Sequence, residues 1–194
     1  MSDEGVLPLR LLRQLQGKSR RPRIIITTSH RPSRRTRSLV KDLEAVIDGS
    51  VRLTRGHLSF QELAAIAREL GVTRVVMIFE RKGNPGLIVS YALSDAGLSE
   101  VARIQLSGVT LRRELRSRAD IRCQGVYSAT PDAEAVADLI AKAFDLNRVE
   151  GPVGGYLEVK KEEGVFVVMP RYGSSFSGPV LRVRWREGGG AGRG

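Results

Sequence analysis

Cysteine is almost missing from this 194-residue chain, with Cys123 alone. That excludes a disulfide framework and a zinc site built on cysteines. Aromatic residues make up 5% of the chain and none interrupts its basic tract, so stacking of single-stranded bases is not expected there. No apolar run exceeds five residues, as at Val75–Phe79 and Val165–Met169, far short of the ~20 that a membrane helix needs. Arg10 and Arg13 break the apolar stretch Val6–Leu15, so no signal peptide is read there. The expected setting is cytoplasmic, with no membrane partner. Acids are also missing where they matter most: none lies between Glu4 and Asp42.

What is present follows from that gap. The chain carries 32 Lys+Arg against 21 Asp+Glu, a net charge of +11. Residues 5–41 hold eleven basic side chains (Arg10, Arg13, Lys18, Arg20, Arg21, Arg23, Arg31, Arg34, Arg35, Arg37 and Lys41), and the other 157 residues sum to zero. A surplus confined to one segment points to a localised contact with a polyanion. With 41% apolar residues the chain can still build a core.

Ile24–Thr28 reads as a buried strand. Leu39, Val40, Leu43, Val46 and Ile47 then form one apolar helical stripe. A short strand is expected at Ser50–Leu53. Ser59 and Glu62 make a capping box, Leu58 and Leu63 a hydrophobic staple, and Gly71 a helix end. Val75–Phe79 is apolar on both faces, as in a central strand covered by helices, and Leu87–Leu93 follows as another strand. Further strands are expected at Val101–Leu106, Ile121–Tyr127, Val153–Lys160, Gly164–Met169 and Phe176–Arg186. A helix with Thr130 as N-cap and Pro131 at N1 buries Val136, Ile140, Ala143 and Phe144.

Ser29-His30-Arg31-Pro32-Ser33 and Ser128-Ala129-Thr130-Pro131-Asp132 stand 99 residues apart, each between a strand and an amphipathic helix. The fold class read from this echo is α/β with two pseudo-repeated halves. The expected division is a basic arm at 1–22, a folded domain at 23–187 with halves of about 23–97 and 98–187, and a flexible Gly-rich tail at 188–194.

The segment Thr28 to Arg37 is the candidate site. Ser33 is the expected N-cap, and Arg34, Arg35 and Arg37 add positive charge where the helix dipole is already positive, at about 0.3–1 kcal/mol each. A bound anion would relieve that conflict. Free amides, the Thr28 and Ser29 hydroxyls, His30, Arg31 and the arginines together suit phosphate. No glycine-rich nucleotide loop occurs here, so an extended phosphate backbone fits better than a single nucleotide. Arg55 and Lys82 support the site. Arg52, Arg81, Arg112, Arg113, Arg116, Arg118, Arg182, Arg184 and Arg186 could extend the path. Trp185 is read as core.

Two other classes stay open. His30 and His57 could pair as acid and base in an RNase or RNA-modifying enzyme. The basic tract could instead dock an acidic protein. Glu80, Glu162 and Glu163 form no metal-binding pattern, and no metal, cofactor or small-molecule substrate is expected. Cys123 is expected to be buried and inert.

The run Ile24-Ile25-Ile26-Thr27-Thr28-Ser29-His30-Arg31-Pro32-Ser33 resembles the opening motif of the Brix-domain ribosome-biogenesis proteins. Arg55-Gly56 is similar to that family's Arg-Gly, and Gly71–Glu80 with Arg81–Val89 resembles its central block. The central block is nearest to the small-subunit-processome subfamily, and the chain looks like a minimal archaeal member. It departs at Ser177-Gly178-Pro179-Val180-Leu181, where the family has an acid before Gly-Pro, then a basic residue and an aromatic.

The resemblance implies two halves like the anticodon-binding domain of class II aminoacyl-tRNA synthetases. It also implies a non-catalytic role in pre-rRNA processing and small-subunit assembly. The implied partners are rRNA or pre-rRNA, a guide RNA that pairs with it, and other ribosome-assembly proteins.

Overall fold

A computed structural model describes residues 7, 11, 15, 21–116 and 119–185. The expectations for Arg10, Arg13, Lys18, Arg20, Arg118, Arg186 and the tail lie outside the described residues. Among the described residues eleven strands form one mixed sheet: β1 Ile24–Thr28, β2 Ser50–Arg52, β3 Arg74–Arg81, β4 Asn84–Ser94, β5 Gly97–Thr110, β6 Gly125–Ser128, β7 Asn147–Arg148, β8 Gly155–Glu162, β9 Val165–Tyr172, β10 Ser175–Phe176 and β11 Val180–Arg184. Three helices have described bounds, α1 Arg34–Val46, α2 Phe60–Leu70 and α3 Glu134–Phe144, and Leu11 and Leu15 are helical as well.

The strand order is β2-β1-β3-β4-β5-β11-β9-β8-β6-β7, with β10 paired to β9. Inward from one edge it runs β2, β1, β3, β4, β5; inward from the other, β7, β6, β8, β9, β11. Each set opens with parallel pairs and continues antiparallel. The two sets meet at the antiparallel β5–β11 pair. By this pairing β5 belongs with the first unit, so the seam follows Thr110 rather than lying at 97/98. The second unit has no counterpart to α2, because residues 149–154 connect β7 directly to β8.

The apolar spacing produces these elements. The α1 stripe buries Leu39, Val40, Leu43 and Val46 against one sheet face, and α3 buries Val136, Ile140 and Phe144 beside it. Alternate residues of β3 divide between two cores. Val76 and Ile78 meet α1 and α3, while Val75 and Met77 meet α2 on the opposite face. That is why β3 reads as apolar on both sides. The α2 capping box forms, with Ser59 N–H donating to Glu62 at 2.7 Å and Glu62 N–H donating to Ser59 Oγ at 3.2 Å. Gly71 closes the helix at φ +66°, a conformation that glycine adopts without a Cβ penalty. Ser59→Ala is expected to lower the melting midpoint by about 2–4 °C in a circular-dichroism melt.

Several boundaries differ from the sequence reading. Residues 131–133 form a 3₁₀ turn, α3 starts at Glu134, and Thr130 makes no capping bond. Val153 is 80% exposed and β8 starts at Gly155, since 149–154 bridge two parallel strands over a short distance. The expected strand at 176–186 is split into β10 and β11 by the buried Ser177–Pro179 segment. Ahead of β6, Cys123 makes only an isolated bridge to Ile47. Burial pushes its thiol up to about 12, so it stays protonated.

Leu11 is 1% exposed in the α2 core, with Leu7 and Leu15 packed against it. These three leucines of the basic arm are therefore docked on the α2 core, not free. Beyond α2 and the helical residues Leu11 and Leu15, this sheet face carries no helix among the described residues. Over β5 and β11 it presents exposed Arg103, Gln105, Ser107, Arg182 and Arg184.

Candidate nucleic-acid interface

β1, β2 and β3 are mutually parallel, so their carboxyl ends emerge along one edge. Three connections gather there: residues 29–33 after β1, residues 53–59 after β2, and the two-residue β3–β4 turn at Lys82-Gly83. Ser29 N–H donates to Ile78 O at 2.9 Å, and His30 Nδ1 lies 3.1 Å from Gly56 O, tying the first loop to both neighbours. In open α/β sheets ligands bind at such carboxyl ends.

Ser33 caps α1, with Thr36 N–H donating to its Oγ at 3.2 Å. The helix end is not left to an external anion, however, and here the sequence reading is corrected. Glu80, at the end of β3, accepts the Ser33 backbone N–H at 2.6 Å and also the Thr36 hydroxyl. Burial pushes its carboxyl upward, but the Ser33 and Thr36 hydrogen bonds and the nearby Arg37 charge outweigh that and hold it below the ordinary 4.5. The dipole conflict raised by the arginines is thus answered internally. Glu80 lies near the end of β3, which pairs in parallel with β1, so strand pairing brings it to the edge where the Ser33 loop emerges.

The expected site residues divide by accessibility. Thr28 is 7% exposed. Arg35 donates to both oxygens of Glu114, the second at 2.9 Å, and to Val109 O at 2.7 Å. These bonds raise Arg35 and lower Glu114 from their ordinary pKa values. Arg55 donates to Leu58 O at 3.1 Å and contacts Met77 Sδ at 3.2 Å. These three serve the fold. Ser29 and Ser33 are half-buried, while His30, Arg31, Arg34, Arg37, Lys82 and the neighbouring Arg81 are exposed at the edge. Arg31 and Lys82 both hold φ +52°, which turns the chain sharply at each loop.

Of the wider basic set, Arg52 pairs with Glu44 at 3.2 Å, and Arg112 and Arg113 sit on the turn that follows β5. Gly178 packs under that turn, where an added Cβ would meet Arg112 Cα at 2.8 Å. Ser177 and Pro179 are buried there too. The variant Gly-Pro motif therefore supports the turn that carries Glu114 and, through it, Arg35.

The equivalent edge of the second unit has its charges reversed. The β8–β9 turn, Glu162-Glu163-Gly164, repeats the left-handed geometry of Arg81-Lys82-Gly83, with Glu163 at φ +48° and Gly164 at φ +79° against +52° and +75°. Glu80 bonds Ser33 in the first unit; Lys161 pairs with Asp132 at 3.4 Å in the second. One backbone is thus presented twice, once with an excess of cations and once with carboxylates.

These features define a class: a two-unit α/β protein on one continuous sheet, with a single basic strand-end edge. The chain belongs to the Brix domain-containing ribosomal biogenesis proteins. It is 40% identical over 167 residues to a "Probable Brix domain-containing ribosomal biogenesis protein" of Aeropyrum pernix, covering 81% of this chain and 93% of that one. The crystal structure of a "probable ribosomal biogenesis protein" from the same organism superposes with a TM-score of 0.74 at 36% identity, covering 86% of this chain and 97% of the other. The U3 small nucleolar ribonucleoprotein protein imp4 of Schizosaccharomyces pombe is 33% identical over 97 residues, 50% of this chain and 32% of that protein. No family model matches the chain.

Proposed function

We propose that the protein is a non-catalytic RNA-binding factor in pre-rRNA processing and small-subunit assembly. It holds rRNA, or an RNA that pairs with it, at the edge formed by Arg31, Arg34, Arg37, Arg81 and Lys82. The observation that carries this reading is the one-sided charge: the same backbone edge is cationic in the first unit and acidic in the second. A merely solvated surface has no need of that difference. The imp4 relative's place in a U3 ribonucleoprotein supports the small-subunit assignment, with assembly proteins as further partners in the cytoplasm. On this reading residues 23–187 act as one RNA-binding body, each unit of the anticodon-binding-domain kind.

Arg34 and Arg37 make no contribution to the core, so replacing both by alanine separates binding from folding. Against small-subunit rRNA fragments, Arg34→Ala with Arg37→Ala is expected to lower affinity about tenfold. The log–log salt slope should fall by about 1.4–1.8 for two lost phosphate contacts. Melting should shift by no more than a few degrees, since neither side chain is buried. A salt slope equal to that of the unaltered protein would remove this edge as the RNA site. Cleavage of the same fragments, abolished by His30→Ala or His57→Ala, would overturn the non-catalytic assignment.

A further inference from the structure

Beside the basic edge, where β3 and β4 meet β5 and β11, the sheet surface opens into a cavity of 280 Å³. It lies where Phe79, packed against the margin of the α2 core, adjoins the exposed positions of β5 and β11. Phe79 and Leu87, both half-buried, are its apolar wall. Arg81, Arg103 and Arg184 stand around it, and Gln105 lies within it. Gln105 is the cross-strand neighbour of Leu87 on one side and of Arg184 on the other, so a single row crosses β4, β5 and β11.

The polar groups differ in freedom. Arg103 is held by Glu100 at 2.7 and 2.8 Å. Glu80 also borders the cavity, but its carboxylate is engaged by Ser33 and Thr36. The Gln105 amide and the Arg184 guanidinium have no hydrogen-bond or ion-pair partner among the described residues. An apolar wall, one free amide and a free guanidinium match the base face, the base edge and the phosphate of a nucleotide. The base packs on the wall, its edge meets an amide that both donates and accepts, and the phosphate meets the cation. The volume lies near the lower end of the ~300–1,000 Å³ range of small-ligand sites, room for one nucleotide and not for a duplex.

We propose that this cavity takes one unpaired nucleotide of the bound RNA. This rests on the RNA-binding reading, whose edge it adjoins through Arg81. Recognition of the RNA is then divided, with the edge gripping phosphates irrespective of sequence and the cavity selecting a position where a base is splayed from its helix.

The test uses the full-length protein with AMP, GMP, CMP and UMP, and with two hairpin RNAs that differ by one bulged nucleotide. At least one monophosphate should bind saturably and shift the Gln105 side-chain amide resonances. The bulged hairpin should bind about tenfold more tightly than the paired one. Gln105→Ala with Arg184→Ala, both at exposed positions, should abolish monophosphate binding measured by titration calorimetry and equalise the hairpins. Arg34→Ala with Arg37→Ala should weaken both hairpins alike and leave the monophosphates unaffected. The proposal is overturned if no monophosphate saturates the amide shift, or if the bulge preference survives in the Gln105/Arg184 variant. Hairpin affinities unchanged by Arg34→Ala with Arg37→Ala overturn the edge instead, a separate result because the monophosphate measurement does not involve it.

Discussion

Gly155→Ala should destabilise the protein by about 3 kcal/mol and lower its melting midpoint by about 6–12 °C. Gly155 opens β8 and lies directly against residues 122–124. An added Cβ would sit 2.0 Å from Arg122 O and 2.8 Å from Arg122 C. Both are backbone atoms, so no side chain can rotate away. That backbone is itself fixed. Cys123 N–H donates to Val46 O at 2.7 Å, Asp48 N–H donates to Cys123 O at 3.1 Å, and Gln124 N–H donates to Gly155 O at 2.9 Å. Relief therefore requires either lifting β8 from its partner β6 or separating the second unit from the end of α1. Gly151→Ala, where nothing lies within 4 Å of the added carbon, is the control and should change stability by less than about 0.5 kcal/mol. Equal midpoints for the two variants in calorimetry would show that the 122–124 contact yields freely.

Glu80→Ala is expected to cost about 2–3 kcal/mol. It strands the Ser33 amide and takes away the carboxylate that bonds the Ser33 N–H and the Thr36 hydroxyl, leaving Arg34 and Arg37 facing the helix dipole. Glu80→Gln should retain part of this, since an amide oxygen still accepts but carries no charge. The pH dependence follows from the lowered carboxyl. Its contribution is fully present above the unfolded value near 4.5 and is lost as pH falls through the lower folded value. Denaturant titrations from pH 7 down to pH 2 should therefore show the gap between the unaltered protein and Glu80→Gln closing only below about pH 4.5. A gap of constant size would mean that the Glu80 charge plays no part.

Much of the first unit was legible in the sequence because its signals are local. The α1 stripe, the Ser59–Glu62 capping box, the Gly71 stop and the doubly apolar β3 each depend on residues a few positions apart, and each forms as expected. The second unit was less legible for the same reason. The 3₁₀ turn at 131–133 and the late start of β8 are set by strands that must pair across the sheet, not by local spacing. Candidate site residues followed a similar division. Arg31, Arg34, Arg37 and Lys82 are exposed on a strand-to-helix edge, whereas Arg35 and Arg55 have internal partners 22 to 79 residues distant and Thr28 lies in the core.

By itself the sequence determined that this is an α/β protein with its excess charge in one segment and a loop too basic for the helix it starts. Those are properties of composition and period, and short-range physics enforces them. Tertiary structure alone decided that Glu80 answers that helix, that Glu114 holds Arg35 in place, and that the second unit's matching edge is acidic. It also placed Phe79, Gln105 and Arg184 around one cavity. Each of those depends on which strands lie side by side, and strand order is decided by how the whole sheet buries its two faces.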